Sequence, residues 1–409
     1  MRLVVIGAQW GDEGKGKVVD FLAEDAQMVL RYSGGANAGH TVVVEGKTYK
    51  FHLVPSGVLN PEKVVVLGID MVVDLAALFE ELDQLSSQGV RWEGRVRIAD
   101  RAHLVLPRYK DMDRKREQER KSPLGTTGRG IGITYALKAF REGIRVADLY
   151  DAQTWQALEP EDREFLQPYV ERVRPLVADV SSLVGEQCGG NILFEGAQGA
   201  LLDLDLGTYP YVSSGMSCAA GAALGAGIGP HRLDRVVGVF KAYATRVGNG
   251  PFPSRFRRER DGDLEERIRE IGREYGVTTG RPRRCGYLDL VALRYACASN
   301  GVDSLAITKL DVYDGMPLLK VCTAYELDGQ RVHRFPASIQ ELESAEPVLE
   351  TLAGWTSPVK GCLHYEDLPP QARLYIEFIE RCCGVPVDIV STGPNRSQTI
   401  VRRSPWTPS

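Results

Sequence analysis

Leu3-Val4-Val5-Ile6-Gly7-Ala8-Gln9-Trp10-Gly11-Asp12-Glu13-Gly14-Lys15-Gly16-Lys17-Val18 decides the fold. The opening run is uniformly apolar, which marks a strand covered on both faces. Glycines then punctuate a turn, and the chain continues toward a helix. The same grammar recurs outward: short apolar runs at 3–6, 28–30, 64–67, 191–194, 236–240, 305–308 and 387–390, each followed by glycine-rich or acidic residues. Helix-like stretches at 71–85, 107–120, 131–141, 155–183, 264–275, 287–299 and 371–381 separate them. Alternation of this kind predicts an α/β fold with a large, mostly parallel central sheet and helices on both faces. The expected organisation is a single main domain over 1–409, with a helical insertion at about 71–185 and a loose tail at 404–409. In such a sheet the chemistry belongs on loops beyond the strand C-termini, where the unusual residues of this chain fall.

The 409 residues, 43% hydrophobic and 25% charged, suffice for a large core. A net charge of −4 gives no bulk attraction to nucleic acid or anionic membrane, so any polyanion must meet local basic sites. Eight cysteines are scattered without C-x-x-C or Cys/His ligand spacing, which argues against a zinc site or a disulfide framework. The first apolar run is too short for a signal peptide, and no stretch approaches the ~18 apolar residues of a spanning helix. The expected location is cytoplasmic, with no nucleic-acid or membrane partner.

Gly11-Asp12-Glu13-Gly14-Lys15-Gly16-Lys17-Val18 matches the G-x-x-x-x-G-K spacing of a phosphate loop, so the fold is expected to be P-loop-NTPase-like. Glycines let backbone N–H groups converge on phosphate oxygens at a helix N-terminus. Val18 stands where such loops carry the hydroxyl that binds Mg²⁺. Asp12 is the candidate replacement, because Mg²⁺ takes hard oxygen ligands. Carboxylates in a phosphate cradle would otherwise repel the ligand, and they make sense if one holds a metal or removes a proton.

After the 305–308 run comes Lys309-Leu310-Asp311. A carboxylate there can accept from guanine N1–H and N2–H₂ together, a pair adenine lacks. T-K-x-D alone is a weak signal; beside a phosphate loop it favours GTP. Ser391-Thr392-Gly393-Pro394, ending the 387–390 run, is a turn or a base-contacting loop. Gly34-Gly35-Ala36-Asn37-Ala38-Gly39-His40-Thr41 presents an imidazole among glycines, suited to proton donation near neutral pH. Val277-Thr278-Thr279-Gly280-Arg281-Pro282-Arg283-Arg284 is the densest basic patch, and its guanidiniums suit carboxylate or phosphate. Turns at 125–132, 195–199 and 207–214 add amides and hydroxyls, and together describe a polar pocket for more than one anion.

In these segments, and in Lys241-Ala242-Tyr243-Ala244-Thr245-Arg246-Val247-Gly248, the chain closely resembles the adenylosuccinate synthetase family, in family order over almost the whole length. The resemblance implies GTP-dependent ligation of L-aspartate to IMP in two steps: the γ-phosphoryl group moves to the 6-oxygen of IMP, and the aspartate amine then displaces phosphate. It implies Asp12 as base and His40 as acid, with Asp12 and the backbone of Gly39 on Mg²⁺. GTP would meet Gly11, Asp12, Glu13, Gly14, Lys15, Gly16, Lys17, Gly39, His40, Thr41, Arg283, Lys309, Leu310, Asp311, Ser391, Thr392 and Gly393. IMP would meet Asp12, Lys15, Asn37, Ala38, Gly39, His40, Thr127, Gln198, Ser213 and Arg281, with Arg141 supplied by the neighbouring subunit of a homodimer. Aspartate would sit on Val277, Thr278, Thr279, Gly280, Arg281, Pro282 and Arg283.

Ser213 replaces the usual Thr, Ser33 the usual Gln, and Ile133-Thr134 a Pro-containing pair; the 141–195 stretch is shorter than usual in the family. None of these removes a catalytic group. Two other enzymatic or regulatory readings share the phosphate loop: a GTPase-type regulator, which needs neither His40 nor the arginine loop, and a related synthetase aminating a guanine nucleotide, which tends to lose the carboxylate matching Asp12.

Overall fold

The computed structural model describes residues 1–44, 46–186, 189–276 and 280–407. Its centre is an eleven-stranded sheet. In chain order the strands are β1 (Arg2–Gly7), β2 (Met28–Gly34), β3 (Val64–Val73), β4 (Val96–Ala99), β5 (His103–Leu104), β6 (Val177–Ala178), β7 (Ile192–Glu195), β8 (Arg235–Lys241), β9 (Ser304–Thr308), β10 (Val387–Ser391) and β11 (Thr399–Val401). Across the sheet they run β11-β10-β9-β8-β1-β7-β2-β3-β4-β6, with β5 beside the end of β3. Every pairing is parallel except β10 with β11. Leu3, Val4, Val5 and Ile6 are each 0% exposed, so both faces of the middle strand are covered. Each of the seven apolar runs named above falls on one of the parallel strands, with only Asn191 of the 191–194 run outside.

Because β1, β2, β7, β8, β9 and β10 are parallel, their C-terminal ends share one edge, and the loops after them converge there. A second, smaller sheet pairs Met316–Leu327 with Glu346–Trp355 and Gln330–Val332, antiparallel. Two short antiparallel pairs stand over the strand tips: His40–Val44 with Lys47–Phe51, and Ala244–Arg246 with Arg284–Gly286.

Several expected elements end differently. The helix expected over 71–85 starts only at Leu75, since 71–73 complete β3 and the Asp74 side chain caps the helix by accepting from Ala77 N at 3.3 Å. The 155–183 stretch divides into helices Ala152–Ala157, Pro160–Val173 and Val180–Glu186, with strand β6 between. The region 71–185 is therefore not purely helical, because β4, β5 and β6 extend the sheet from within it. Asp289 caps the helix Leu290–Asn300 by accepting from Ala292 N at 3.0 Å, and Leu288–Asp289 pairs as a strand with Met316–Leu327. The tail is not loose over 404–407: Pro405 is buried, and Trp406 packs on the core with its indole N–H donating to Leu22 O at 3.2 Å.

Candidate functional site

The phosphate loop is shaped from below by one carboxylate. Glu13 is 0% exposed; its Oε1 accepts from Gly11 N at 2.8 Å and Gln9 N at 3.1 Å, and its Oε2 lies 2.7 Å from Lys15 Nζ. Glycine is required around it, for a Cβ on Gly7 would stand 2.3 Å from Glu13 Oε2, and one on Gly199 would stand 2.6 Å from Oε1. Glu13, expected among the GTP contacts, is thus the loop's internal brace. Asp12 turns the other way. It adopts φ 59°, and its exposed carboxylate lies 2.8 Å from Arg283 Nε. The two acids that look equivalent in sequence face opposite sides of the loop.

Thr308, at the end of β9, donates from Oγ1 to Glu13 O at 2.5 Å, tying β9 to the 11–17 loop. Lys309 follows in the left-handed region, φ 60°, with Nζ donating to Gly272 O at 2.9 Å. Lys17 Nζ reaches the last loop, donating to Ser391 Oγ at 2.7 Å, Gly393 O at 2.7 Å and Gln398 O at 2.8 Å. Burial pulls the Lys17 ammonium down to about 7, against the attraction of Asp311 and with the help of Lys309.

His40 opens a strand above the loop, and its Nδ1 lies 2.9 Å from Glu195 Oε1. Glu195, the last residue of β7, is fully buried and also accepts from Ser56 N and Ser56 Oγ, both at 3.1 Å. Burial works against its ionisation, but the hydrogen bond and charge of His40 and the charge of Arg31 keep Glu195 below the ordinary carboxylate range. A carboxylate behind one ring nitrogen fixes the ring and leaves Nε2 for a ligand.

One cleft of about 960 Å³ runs along the strand tips. It is lined by Gly11, Asp12, Gly14, Lys15, Gly16, Lys17, Asn37, Ala38, Gly39, His40, Thr41, Thr127, Gln198, Ser213, Arg283, Lys309, Asp311, Ser391 and Gly393. Gln198 Oε1 and Nε2 and Ser213 Oγ are buried there without a hydrogen-bond partner within the protein, and so are open to a ligand. Among the described residues six non-glycine residues have positive φ: Asp12, Arg141, Gln198, Arg273, Lys309 and Asp328. Four of them, Asp12, Arg141, Gln198 and Lys309, are sequence-chosen site residues, and local strain of this kind concentrates at functional positions.

Other sequence-chosen residues lie outside the lining. Leu310 and Thr392 are buried beside it. Arg141 is exposed at the C-terminus of the helix Ile131–Phe140. Gly280, Arg281 and Pro282 are exposed on the arginine loop, whose base is closed by Gly276 N donating to Arg281 O at 2.8 Å. Val277, Thr278 and Thr279 fall outside the described residues. Three residues without an assigned role contribute: Glu195, Glu274, which holds Arg283, and Arg246, which lines the cleft while donating only to backbone carbonyls of Tyr211, Asn249 and Pro251. The carboxylate closing the 191–194 run was the available signal for Glu195. A second cavity of about 710 Å³, at the β10–β11 edge, sits away from the strand tips, and its Arg402 is already bound to Glu380.

The adenylosuccinate synthetase family model matches residues 4–400. The chain is 48% identical over 424 residues to the adenylosuccinate synthetase of Desulforamulus reducens, covering 98% of each protein. It is likewise 48% identical over 429 residues to that of Moorella thermoacetica, covering 99% of each. A solved structure of the fully ligated adenylosuccinate synthetase of Plasmodium falciparum superposes with a TM-score of 0.93 at 35% identity, covering 98% of this chain and 100% of that one. Cyanophage S-2L succinoaminodeoxyadenylate synthetase shares the fold, with a TM-score of 0.64 at 20% identity, covering 98% and 95%. The cleft, its phosphate loop and these likenesses converge, and the chain belongs to the adenylosuccinate synthetase family.

Proposed function

We infer that the chain is a GTP-dependent ligase that joins L-aspartate to IMP, giving adenylosuccinate, GDP and phosphate and committing IMP to AMP synthesis. One observation carries the site assignment: a single cleft brings Asp12, His40 and the partnerless Gln198 and Ser213 together with the guanine-reading Lys309 and Asp311. The full length acts as one catalytic unit in this reading.

Asp12 takes the N1 proton of IMP, which turns the 6-oxygen into a nucleophile toward the γ-phosphorus of GTP. His40, oriented by Glu195, offers Nε2 to the oxygens of the transferred phosphoryl group. Lys15 and the backbone of the 11–17 loop hold phosphates, and Asp311 accepts from guanine. Arg283 and Arg281 hold the carboxylates of aspartate while its amine displaces phosphate from the 6-phosphoryl intermediate. Asn37, Thr127, Gln198 and Ser213 grip IMP.

Among the described residues no group of three or more His, Cys, Asp or Glu could hold a metal ion. Asp12, through its carboxylate, and Gly39, through its backbone, would hold Mg²⁺ as part of its shell. Hard, incomplete donor sets suit Mg²⁺, which keeps phosphate and water ligands. When bound, it would neutralise charge on the phosphates. Arg141 would serve the cleft of a second copy in a homodimer; its own exposure, beside Phe140 (69% exposed), supports that reading. No helix of the described residues is long and apolar enough to cross a membrane, and we assign a cytoplasmic location.

The experiment is an assay of adenylosuccinate formation from GTP, IMP, aspartate and Mg²⁺ with the protein and its Asp12→Ala variant. Turnover should fall about 10³-fold or more in the variant, with an unchanged circular-dichroism spectrum. Near-normal turnover would remove Asp12 from the role of base.

A further inference from the structure

Arg283 stands between two carboxylates. Its Nη1 donates to Glu274 Oε2 at 2.7 Å, and its Nε lies 2.8 Å from Asp12 Oδ2. Glu274 is 0% exposed and collects two more donors on Oε1, Lys241 Nζ at 2.8 Å and Tyr243 Oη at 2.6 Å. The clasp is repeated in the backbone, where Arg283 N donates to Glu274 O at 2.9 Å and closes the arginine loop at its base. Burial opposes ionisation of Glu274, yet the charges of Lys241, Arg283 and Lys309 hold its carboxyl at about 2. In direct contact, two cations, Lys241 and Arg283, face two anions, Glu274 and Asp12. These four contacting groups balance only while Asp12 takes part.

We propose that Glu274 is a positioning residue that aims Arg283 at the substrate carboxylate, and that Asp12 occupies this guanidinium as an internal competitor until the substrate displaces it. The inference rests on the assignment of Asp12 and Arg283 made above. Glu274 and Asp12 use different nitrogens, so the exchange on the Nε side leaves the buried Nη1 bond in place. Departure of Asp12 leaves one positive charge in excess, and an incoming carboxylate restores neutrality. Asp12 becomes available for a proton or a metal when aspartate is seated.

The probe is succinate, which keeps both carboxylates of aspartate and lacks the amine. It is titrated calorimetrically into protein preloaded with IMP, without nucleotide or divalent metal. Asp12→Asn removes the competitor and should tighten succinate binding about fivefold or more, in the range of close charge pairs. Glu274→Gln strands the Lys241 charge, so Lys241→Met/Glu274→Gln is measured beside it. Both should raise the KM for aspartate about tenfold while the KM for IMP stays within about twofold. A merely structural role would move both. Succinate binding equally or more weakly to Asp12→Asn, no binding to either protein, or an unchanged aspartate KM in the double variant overturns the proposal. Lost turnover in Asp12→Asn with unchanged succinate affinity would keep the catalytic assignment and remove the competition alone.

Discussion

The floor and the rim of the phosphate loop each hold a lysine, in opposite ways. On the floor, Lys15 is 3% exposed and lies 2.7 Å from the buried carboxylate of Glu13, so a phosphate must share its charge with an internal acid. At the rim, Lys17 donates to a hydroxyl and two carbonyls, all neutral. Arg246, also in the cleft lining, repeats the rim pattern: it is 1% exposed, bonded to three carbonyls, and lowered to about 9 by burial, with Arg284 adding to the effect. Cations paired with acids shape the cleft, as Lys15 does here and Lys241 does beneath Arg283. Cations held by neutral oxygens keep a positive field for an anionic ligand to meet.

Removing each lysine separates the two arrangements. Lys15→Met leaves Glu13 buried without its counter-charge and should cost about 3–5 kcal/mol in urea unfolding. Lys17→Met removes a desolvated charge that has no acid partner, so its cost should stay near 1 kcal/mol while the KM for GTP rises. Equal losses in the two variants would break the distinction. At the guanine end, Asp311→Asn exchanges an acceptor-only group for an amide. Selection of GTP over ATP should fall about ten- to a hundredfold, measured as the ratio of kcat/KM values. Unchanged selection would place the guanine reader elsewhere.

The smallest effect is a proton. Folding lowers Lys17 from 10.5 to about 7, disfavouring the charged form in the native state. Its contribution to stability is therefore fully present above 10.5 and is lost as the pH falls through about 7. Phosphates favour the ammonium again, so nucleotide binding should take up about half a proton at pH 7 and nearly one at pH 8, falling toward zero at pH 6. Calorimetry in buffers of different ionisation enthalpy reads this uptake, and Lys17→Met should abolish its pH dependence.

The middle of the sheet was legible because its strands are buried on both faces, and such strands write themselves as unbroken apolar runs. Met316–Leu327 was not, since exposed residues interrupt its buried ones along the whole strand. The strands at the far edge, β5 and β6, have two residues each, too few for any period. Glycine loops announced the site, because close backbone approach leaves a mark in the sequence. Glu195 and Glu274 left almost none: each is a single acid whose role depends on His40 or on Lys241 and Arg283, brought near only by the fold. The inward turn of Glu13 and the outward turn of Asp12 were likewise invisible, since adjacent acids differ only once φ 59° at Asp12 is known.

β1 is made first yet stands between β7 and β8, which leave the ribosome long after it. The nascent chain must carry this apolar segment unpaired until residues 192–195 and 235–241 arrive, a wait that favours chaperone attention and slows closure of the sheet. The grip of Lys17 on 391–398 is completed later still. A translation stop before that loop yields a chain without the partners that Lys17 finds at Ser391, Gly393 and Gln398, so the 11–17 loop depends for its finished shape on the last residues to be made.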